Sequence, residues 1–480
     1  MKADSSPPAG NPLGTAPVGR LLLQFAVPSI ISTLVAALYN MVDQIFIGQR
    51  IGYLGNAATT VAFPLTYING ALTLLFSNGS AVNFNLFSGR GNKEEALSYA
   101  GNGLTLLGVE GVSLGLLVGL FTSWFVAVFG STADVFPYAV TYIRIIAVGL
   151  PFLALTSGGT LLVRSDGSPR YAMWCSLSGV LLNFVLDWLF LFPLNLGIAG
   201  AAWATVLGQI LSALLLVRYL FRFRTGRLER RHFRVTAKRA RAIAAIGAAA
   251  SFNQAAMVVM NTVRNNMLRK YGALSAYGAS EALAAAGVVT KINMLFYSTI
   301  IGCGVGGSPI MSFNYGAKKY RRVMETYYRI LVYALIVGAA ETACFWFFPD
   351  ALLRLFGSGA DGYRVFALRF MHVFMLLVAI AGIPPASMHV MTAVGRAKRG
   401  ILISLSKQFA LTALLLCLPL FFGIDGVLYA GPVADILAAA ASFLVLRPEF
   451  RVMRELRRQM GAPRRVLLSH CTSVRERSRL

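Results

Sequence analysis

Long apolar segments, separated by short polar stretches, follow one another along nearly the whole chain. A helix that crosses the apolar core of a bilayer needs about 20 such residues. Segments of this length fall at 19–47, 57–80, 98–128, 137–160, 171–193, 198–221, 242–268, 283–311, 326–348, 364–388, 400–421 and 426–447. Because backbone polar groups in lipid must be paired within the segment, the pattern predicts an all-α polytopic membrane protein with about 12 transmembrane helices.

The composition agrees with a chain that lies mostly in lipid. Hydrophobic residues make up 56% of the 480 positions, charged residues make up 13%, and the mean hydropathy is +0.65. A water-soluble domain is about 45–50% apolar and could not bury this much apolar surface. The net charge of +25 would suggest nucleic acid in a soluble protein. Here we expect the basic residues to contact anionic lipid headgroups, and no nucleic acid, because they lie in connections between spans.

Alternate connections between the apolar segments carry most of the Lys and Arg residues. These connections hold Arg90 and Lys93, Arg164 and Arg170, and the runs 222–241, 318–322 and 396–399. By the positive-inside rule these connections and both termini are expected to be cytoplasmic, in a multi-pass protein of the cell membrane. The first 16 residues lack the basic-then-apolar order of a signal peptide, so the first span is expected to remain in the protein.

The two halves of the chain resemble each other. The matching pairs are Gly79-Ser80 with Gly307-Ser308, Asn40-Met41-Val42 with Asn261-Thr262-Val263, Gly167 with Gly395, and 197–200 with 423–426. Such an internal repeat predicts two six-helix lobes of parallel orientation with a central cavity between them. The predicted divisions are a disordered cytoplasmic N-terminus (1–16), an N-lobe (17–221), a basic cytoplasmic linker (222–241), a C-lobe (242–447) and a basic cytoplasmic tail (448–480).

Two carboxylates stand out inside the predicted spans, where an unpaired charge costs at least about 2.5–3.5 kcal/mol. Asp43 lies near the outer end of the first span, and Asp187 lies in the outer part of the fifth. Asn183 precedes Asp187 by one helical turn, as Tyr39 precedes Asp43, and Thr205 lies two turns into the sixth span. A rise of 1.5 Å per residue places Asp43, Asp187 and Thr205 roughly 10 Å below the outer surface.

Two carboxylates and a hydroxyl at one depth, with an amide and a phenol one helical turn away, predict an ion-coupling site. Asp43, Asn183, Asp187 and Thr205 supply hard oxygen ligands for Na⁺, and a desolvated carboxylate pair instead holds H⁺. Either ion would couple its entry to a conformational change. The structural alternative is that Asp43 lies in the interfacial region and Asp187 pairs with a neighbouring donor for helix packing.

The second half carries different charges at membrane depth. Arg264 occupies the place of Asp43, and Lys291, Glu341 and Lys407 also fall within spans. One interpretation is a C-lobe polar cluster of Arg264, Lys291 and Glu341 that helps gating or substrate binding. The favoured interpretation is structural, with Arg264 reaching to the outer surface and Glu341 paired with a basic neighbour.

Prolines interrupt three of the predicted spans and mark candidate hinges. Pro28 lies in the first span, Pro151 in the fourth, and Pro384-Pro385 in the tenth. Each removes a backbone hydrogen bond and is expected to kink or break its helix. Bending at Pro28 would move Asp43, so Pro28 is a candidate gating residue.

Motifs of catalysis and of nucleotide or metal binding are missing from the sequence. It contains no G-x-x-x-x-G-K-[ST] phosphate loop and no H-E-x-x-H, and its four histidines and five cysteines lack metal-ligand spacing. His232 and His470 fall in basic cytoplasmic segments. We therefore expect no enzymatic activity, no catalytic residue and no cofactor beyond the coupling ion.

Several segments resemble the multidrug and toxic compound extrusion (MATE) family, in its bacterial MepA/DinF-like branch. In the first span these are Pro28-Ser29-Ile30, Leu38 through Asp43, and Phe46-Ile47-Gly48. Later segments are Asn183 through Asp187, Gly197 through Ala202, and Ser312-Phe313-Asn314-Tyr315-Gly316-Ala317. The resemblance runs from about residue 15 to residue 450.

The resemblance implies a two-lobed antiporter of the bacterial cell (inner) membrane that exports small cationic or aromatic compounds in exchange for H⁺ or Na⁺. The family's N-lobe ion site matches Asp43, Asn183, Asp187 and Thr205, with Tyr39 adjacent. Another branch uses an acidic residue in the seventh span, where this sequence has Met257, Asn261 and Arg264 and no carboxylate. A coupling site of that kind is therefore not expected in the C-lobe.

Two other classes of function remain open from the sequence. A flippase of lipid-linked precursors would need a basic cavity, which Arg264, Lys291 and Lys407 favour and the paired carboxylates disfavour. A channel or membrane enzyme is disfavoured by the internal repeat and by the lack of a catalytic constellation in the spans. Because one chain forms both lobes, a monomer is expected to suffice.

Overall fold

The computed structural model describes residues 12–51, 53–129, 131, 134–354 and 361–461. Residues 1–11 of the predicted N-terminal segment, and residues 462–480 of the predicted tail with His470, lie outside the described residues. Within the described residues all regular secondary structure is helical, and no strand occurs. This confirms the predicted all-α class.

The described residues of the first half form six long helices. They are α1 (Val18–Ile51), α2 (Tyr53–Gly89), α3 (Lys93–Leu120), α4 (Phe136–Ser165), α5 (Pro169–Leu191) and α6 (Gly197–Leu220). Two short helices, Pro12–Thr15 and Thr122–Val128, precede α1 and follow α3, and a 3₁₀ turn lies at Arg230–Phe233 in the linker.

The second half repeats this arrangement with one break. Its helices are α7 (Ala237–Ala273), α8 (Ala279–Gly316), α9 (Tyr320–Phe347), α10a (Asp361–Arg369), α10b (Ile383–Ala393), α11 (Ala397–Cys417) and α12 (Ile424–Gly461), with short helices at Pro349–Arg354 and Pro419–Phe422. Among the described residues, 11 helices are long and apolar enough to span a membrane, and α10a with α10b forms one further bent span, at 51°. The prediction of about 12 spans is confirmed.

The tenth span breaks earlier than its prolines indicate. A π-type turn at Phe370–Phe374 and a 3₁₀ turn at Val378–Ile380 separate α10a from α10b. Pro384 and Pro385 lie in the first turn of α10b, where a missing N–H leaves no helical hydrogen bond unmade. The prolines therefore start the second half of the span. The last helix also continues through Pro448 to Gly461, beyond the predicted span end at 447.

One seam between the lobes joins α2 to α7. A Cβ added at Gly79 would lie 1.9 Å from the carbonyl oxygen of Ile243, and one added at Gly247 would lie 1.8 Å from that of Leu75. The helices touch main chain to main chain, because only glycine leaves room for this approach.

The related seam joins α1 to α8. A Cβ at Gly302 would lie 2.6 Å from the Cα of Ile30, and Gly306 faces Ala26 at the same distance. Thr33 Oγ1 donates a hydrogen bond to the carbonyl oxygen of Ser298 at 2.8 Å. In each of these four helices, the seam residues lie in the half that is next to a predicted cytoplasmic connection. The lobes therefore meet at that side of the bundle.

The inner half of α1 is buried in the core of the second half of the chain. Leu21 and Phe25 are each 2% exposed and pack in a cluster with residues of α8, α9, α10b and α12. The short helix before α1 is held there too, because Arg322 donates hydrogen bonds to the carbonyl oxygens of Leu13 and Ala16, at 3.2 and 2.5 Å.

The linker after α6 is held against the N-lobe by polar contacts. The Asp166 carboxylate accepts hydrogen bonds from the Tyr219 hydroxyl (2.8 Å), the Arg224 backbone N–H (2.6 Å), and the backbone N–H (2.8 Å) and hydroxyl (2.6 Å) of Thr225. Burial raises the pKa of Asp166, while these hydrogen bonds lower it. The Asn102 amide donates to the carbonyl oxygen of His232 at 2.9 Å. The beginning of the linker is thus part of the folded N-lobe.

Candidate functional site

The structure brings the two carboxylates of the first and fifth spans together. Asp43 on α1 is half-buried, and Asp187 on α5 is 1% exposed. The carboxyl group of each lies close enough to the other to share a hydrogen bond when one is protonated. The common depth inferred from the sequence thus corresponds to a direct approach of the two side chains.

The predicted neutral ligands surround this pair. Thr205 Oγ1 on α6 lies 3.4 Å from the Tyr39 hydroxyl and accepts a hydrogen bond from the Asn183 amide, also at 3.4 Å. Asn183 and Asp187 are one turn apart on the same face of α5, and both are buried. The five predicted site residues therefore come from three helices of one lobe and form one polar cluster.

The electrostatics of this cluster favour uptake of a positive ion. No Lys, Arg or His forms an ion pair with Asp43 or Asp187 in the described part of the chain. Oδ1 of each carboxylate and Oδ1 of Asn183 lack a hydrogen-bond partner. Two negative charges this close together repel each other, so the pair is stabilised by one proton or by a cation. Carboxylate, amide and hydroxyl oxygens are also suitable ligands for a hard cation such as Na⁺.

Pro28 lies within the seam that α1 forms with α8, on the cytoplasmic side of the ion cluster. The helix continues through it, and Ser32 Oγ donates a hydrogen bond to its carbonyl oxygen at 2.9 Å. Ala26 and Ile30, on either side, pack against glycines of α8. A bend at Pro28 would therefore change the position of Asp43 relative to the seam.

A second polar cluster lies in the C-terminal half. The Asn293 amide on α8 donates a hydrogen bond to Glu341 Oε1 on α9 at 2.8 Å. Lys407 Nζ on α11 forms an ion pair with Asp435 Oδ1 on α12 at 2.7 Å, and Lys407 also attracts Glu341 electrostatically. Glu341 is 1% exposed and Asp435 is 5% exposed. One ammonium thus faces two buried carboxyl groups.

The other two residues of the predicted C-lobe cluster lie apart from these contacts. Lys291 is exposed on α8, and Nε of Arg264 on α7 has no hydrogen-bond partner. The structure therefore surrounds Glu341 with Asn293, Lys407 and Asp435.

The sequence matches the family model described as MatE over residues 28–189 and 249–418. These two segments cover well over half of the chain and correspond to its two halves. The chain belongs to the MATE family. The resemblance seen in the sequence motifs is confirmed, and the protein is a multi-pass membrane transporter.

Similar proteins show how much of the chain the MATE relationship covers. The FAD transporter of Shewanella oneidensis is 26% identical over 440 residues, which cover 89% of this chain and 94% of that protein. Multidrug export protein MepA of Staphylococcus haemolyticus is 22% identical over 434 residues, covering 89% and 93%. A solved MOP superfamily transporter from Pyrococcus furiosus matches with a TM-score of 0.85 at 20% identity, covering 92% of this chain and 98% of that one.

The sequence analysis did not identify three buried polar residues that the structure shows. Tyr142 on α4 is 9% exposed and lies within electrostatic range of Asp43 and Asp187. Asp435 lies within the predicted span 426–447, so its position alone could have identified it as a candidate site residue. Glu110 on α3 is 8% exposed, and neither carboxylate oxygen has a hydrogen-bond partner. It too falls within a predicted span, at 98–128.

Proposed function

We propose that this MATE protein is a secondary antiporter that exports small, mostly cationic or aromatic organic compounds in exchange for H⁺ or Na⁺. The observation that carries the proposal is the cluster of Asp43 and Asp187, two carboxyl groups in contact inside a lobe without a cationic partner among the described residues. Binding of H⁺ or Na⁺ there neutralises the repulsion and favours one arrangement of the lobes. Cargo favours another, and this difference is sufficient for coupling.

The position of the seams supports alternating access. With both termini cytoplasmic, the glycine contacts of α1 with α8 and of α2 with α7 close the cytoplasmic side of the pathway. This arrangement corresponds to an outward-facing state. The ion cluster lies on the outer part of α1, beyond the seam, where outside H⁺ or Na⁺ reaches it without crossing the closed side.

Efflux of ethidium from cells tests the proposal. Wild type, Asp43→Asn and Asp187→Asn are compared at matched membrane expression, under a proton gradient without sodium and under a sodium gradient without a proton gradient. Wild type is expected to extrude the dye under one of these gradients, whereas both variants lose gradient-driven efflux. Each substitution removes a negative charge and keeps the side-chain size. Asp134→Asn, at an exposed position outside the spans, is the control and should transport like wild type.

Three results would separate the possibilities. Transport by both Asn variants at the wild-type rate would show that the cluster does not couple. Transport under a proton gradient alone identifies H⁺ as the coupling ion, and transport under a sodium gradient alone identifies Na⁺. A wild-type protein that moves no cationic dye under either gradient would contradict the proposed cargo class.

A second candidate cargo class is an anionic aromatic cofactor. The Shewanella oneidensis relative is named an FAD transporter, and this chain has Arg264 where the first half has Asp43. An anionic flavin would be attracted by basic side chains in the cavity. Export of a fluorescent flavin nucleotide by wild type, with loss in Arg264→Gln and no ethidium transport, would favour this cargo. The coupling site would remain the same.

A further inference from the structure

Arg164 is a buried cation without a protein partner. It lies at the end of α4, is 6% exposed, and its guanidinium makes no hydrogen bond or ion pair within the part of the chain that the structure describes. A guanidinium has five N–H donors and keeps its charge in proteins. A buried charge without a counter-charge is strongly disfavoured, so a group outside the chain is expected to balance it.

Arg164 borders a small, partly open cavity between the lobes. The cavity measures about 20 Å³, with Asn78, Asn85 and Arg164 on the N-lobe side and Ser308 and His389 on the C-lobe side. His389 is 8% exposed, and its Nε2 atom also has no hydrogen-bond partner. Two unsatisfied nitrogen-bearing side chains, one from each lobe, thus border the same space.

No carboxylate borders this cavity among the described residues. Asp166 is the acidic residue nearest to Arg164 in sequence, but its carboxylate already accepts four hydrogen bonds from Tyr219, Arg224 and Thr225. The Asn85 amide donates to the Ser165 hydroxyl at 2.8 Å. The positive charge of Arg164 is therefore not balanced within its own surroundings.

We propose that this cavity binds one small monatomic anion, such as chloride, between Arg164 and His389. A space of about 20 Å³ holds roughly one water-sized particle. This excludes phosphate, sulfate and organic carboxylates. Water alone would satisfy the free Oδ1 of Asn85 but would leave the guanidinium charge unbalanced. Because the lining comes from both lobes, the bound anion stabilises the closed seam and is released when the lobes separate.

Thermal unfolding of the purified full-length protein tests the site. Chloride is replaced stepwise by gluconate, an organic anion too large for the cavity, at constant sodium concentration and ionic strength, so that sodium binding does not change. Wild type is expected to unfold roughly 2–4 °C higher in chloride, with a saturable dependence on chloride concentration. Arg164→Gln should lose this dependence, because it removes the charge. Arg170→Gln, at an exposed position on α5, should keep it.

The location of the anion is tested separately, in wild-type crystals grown with bromide. An anomalous peak between Arg164 and His389 is expected, and it supports the proposal even if Arg164→Gln fails to fold. Equal unfolding temperatures of wild type in chloride and gluconate would show that the cavity holds water and would overturn the proposal. A chloride dependence that persists in Arg164→Gln, or a bromide peak only at other positions, would also overturn it.

Discussion

At the scale of single residues, Lys407 neutralises part of the acidic cluster in the C-lobe. Replacing it with Met keeps most of the length of the side chain but leaves Asp435 and Glu341 buried without the ammonium group. Removing one partner of a buried ion pair costs about 3–5 kcal/mol. We therefore expect Lys407→Met to lower the unfolding temperature by several degrees in a thermal melt of the purified protein.

Two further variants identify the cause of that loss. Lys291→Met changes an exposed lysine of the same lobe and should melt like wild type. Adding Asp435→Asn to Lys407→Met removes the charge left unpaired and should restore part of the stability. If Lys291→Met lowers the melting temperature as much as Lys407→Met, the ion pair is not what stabilises the lobe.

The candidate ion site was largely predictable from residue type and depth. Asp43, Asp187 and Thr205 have one predicted depth because each falls a known number of residues from a span end. Asn183 is added because it lies one turn from Asp187 on the same helical face, and the structure brings these side chains together. Tyr142 was not predictable, because depth does not reveal which face of α4 turns toward the pair. The pairing of Lys407 with Asp435 likewise depends on the rotation of two helices about their axes, which their sequences do not fix.

At the scale of helices, the glycine seams predict a contrast between two Gly→Ala substitutions. A Cβ at Gly79 would lie 1.9 Å from the carbonyl oxygen of Ile243, whereas a Cβ at Gly108 on α3 meets nothing within 4 Å. Gly79→Ala must push α2 away from α7 and is expected to lower the unfolding temperature. Gly108→Ala should raise it slightly, because alanine favours a helix interior by about 0.8–1.0 kcal/mol.

Thermal melts of both variants in detergent provide the measurement, with wild type measured alongside. Chemical labelling of a cysteine introduced beside the α2–α7 seam should also become faster in Gly79→Ala, since the seam is forced apart. If both variants melt above wild type, the close approach of the two helices is not needed for stability.

The length of the apolar segments predicts the spans, but it does not predict where the tenth span breaks. Proline is the residue expected to interrupt a helix, so the sequence predicts the break at Pro384-Pro385. The helix instead changes at Phe370–Phe374, a stretch of FMHVF without Gly or Pro. Such a turn is stabilised by packing, and Phe370 and Met371 are fully buried there. Tertiary contacts of this kind leave no local sequence signal.

At the scale of the whole molecule, the alternation of basic connections predicts the orientation in the membrane. Alkaline phosphatase is active only outside the cytoplasm, whereas green fluorescent protein fluoresces only when it folds inside. Phosphatase fused after Leu196, between α5 and α6, should be active, and phosphatase fused after Arg396, between α10b and α11, should be inactive. A fluorescent protein at the C-terminus should be bright. Phosphatase activity after Arg396 would contradict cytoplasmic termini.

The internal repeat predicts the two-lobed organisation. The same repeat is seen in the structure, where the contact of α1 with α8 corresponds to the contact of α2 with α7. The sequence did not indicate which lobe buries the inner half of α1. Its residues are as apolar as those of any other span, and apolar length does not reveal which neighbours bury them. The structure packs Leu21 and Phe25 among residues that come mostly from α8 to α12.

This packing has a consequence for biosynthesis. The inner half of α1 is among the first segments to leave the ribosome, yet Leu446, Phe450 and Met453, which share its core, are among the last of the described residues to be made. Native burial of α1 must therefore wait until nearly the whole chain has been translated and inserted. During that interval its apolar surface is covered by lipid or by a membrane insertion factor, and ribosomes that stop after the sixth span release a product that cannot complete its own core.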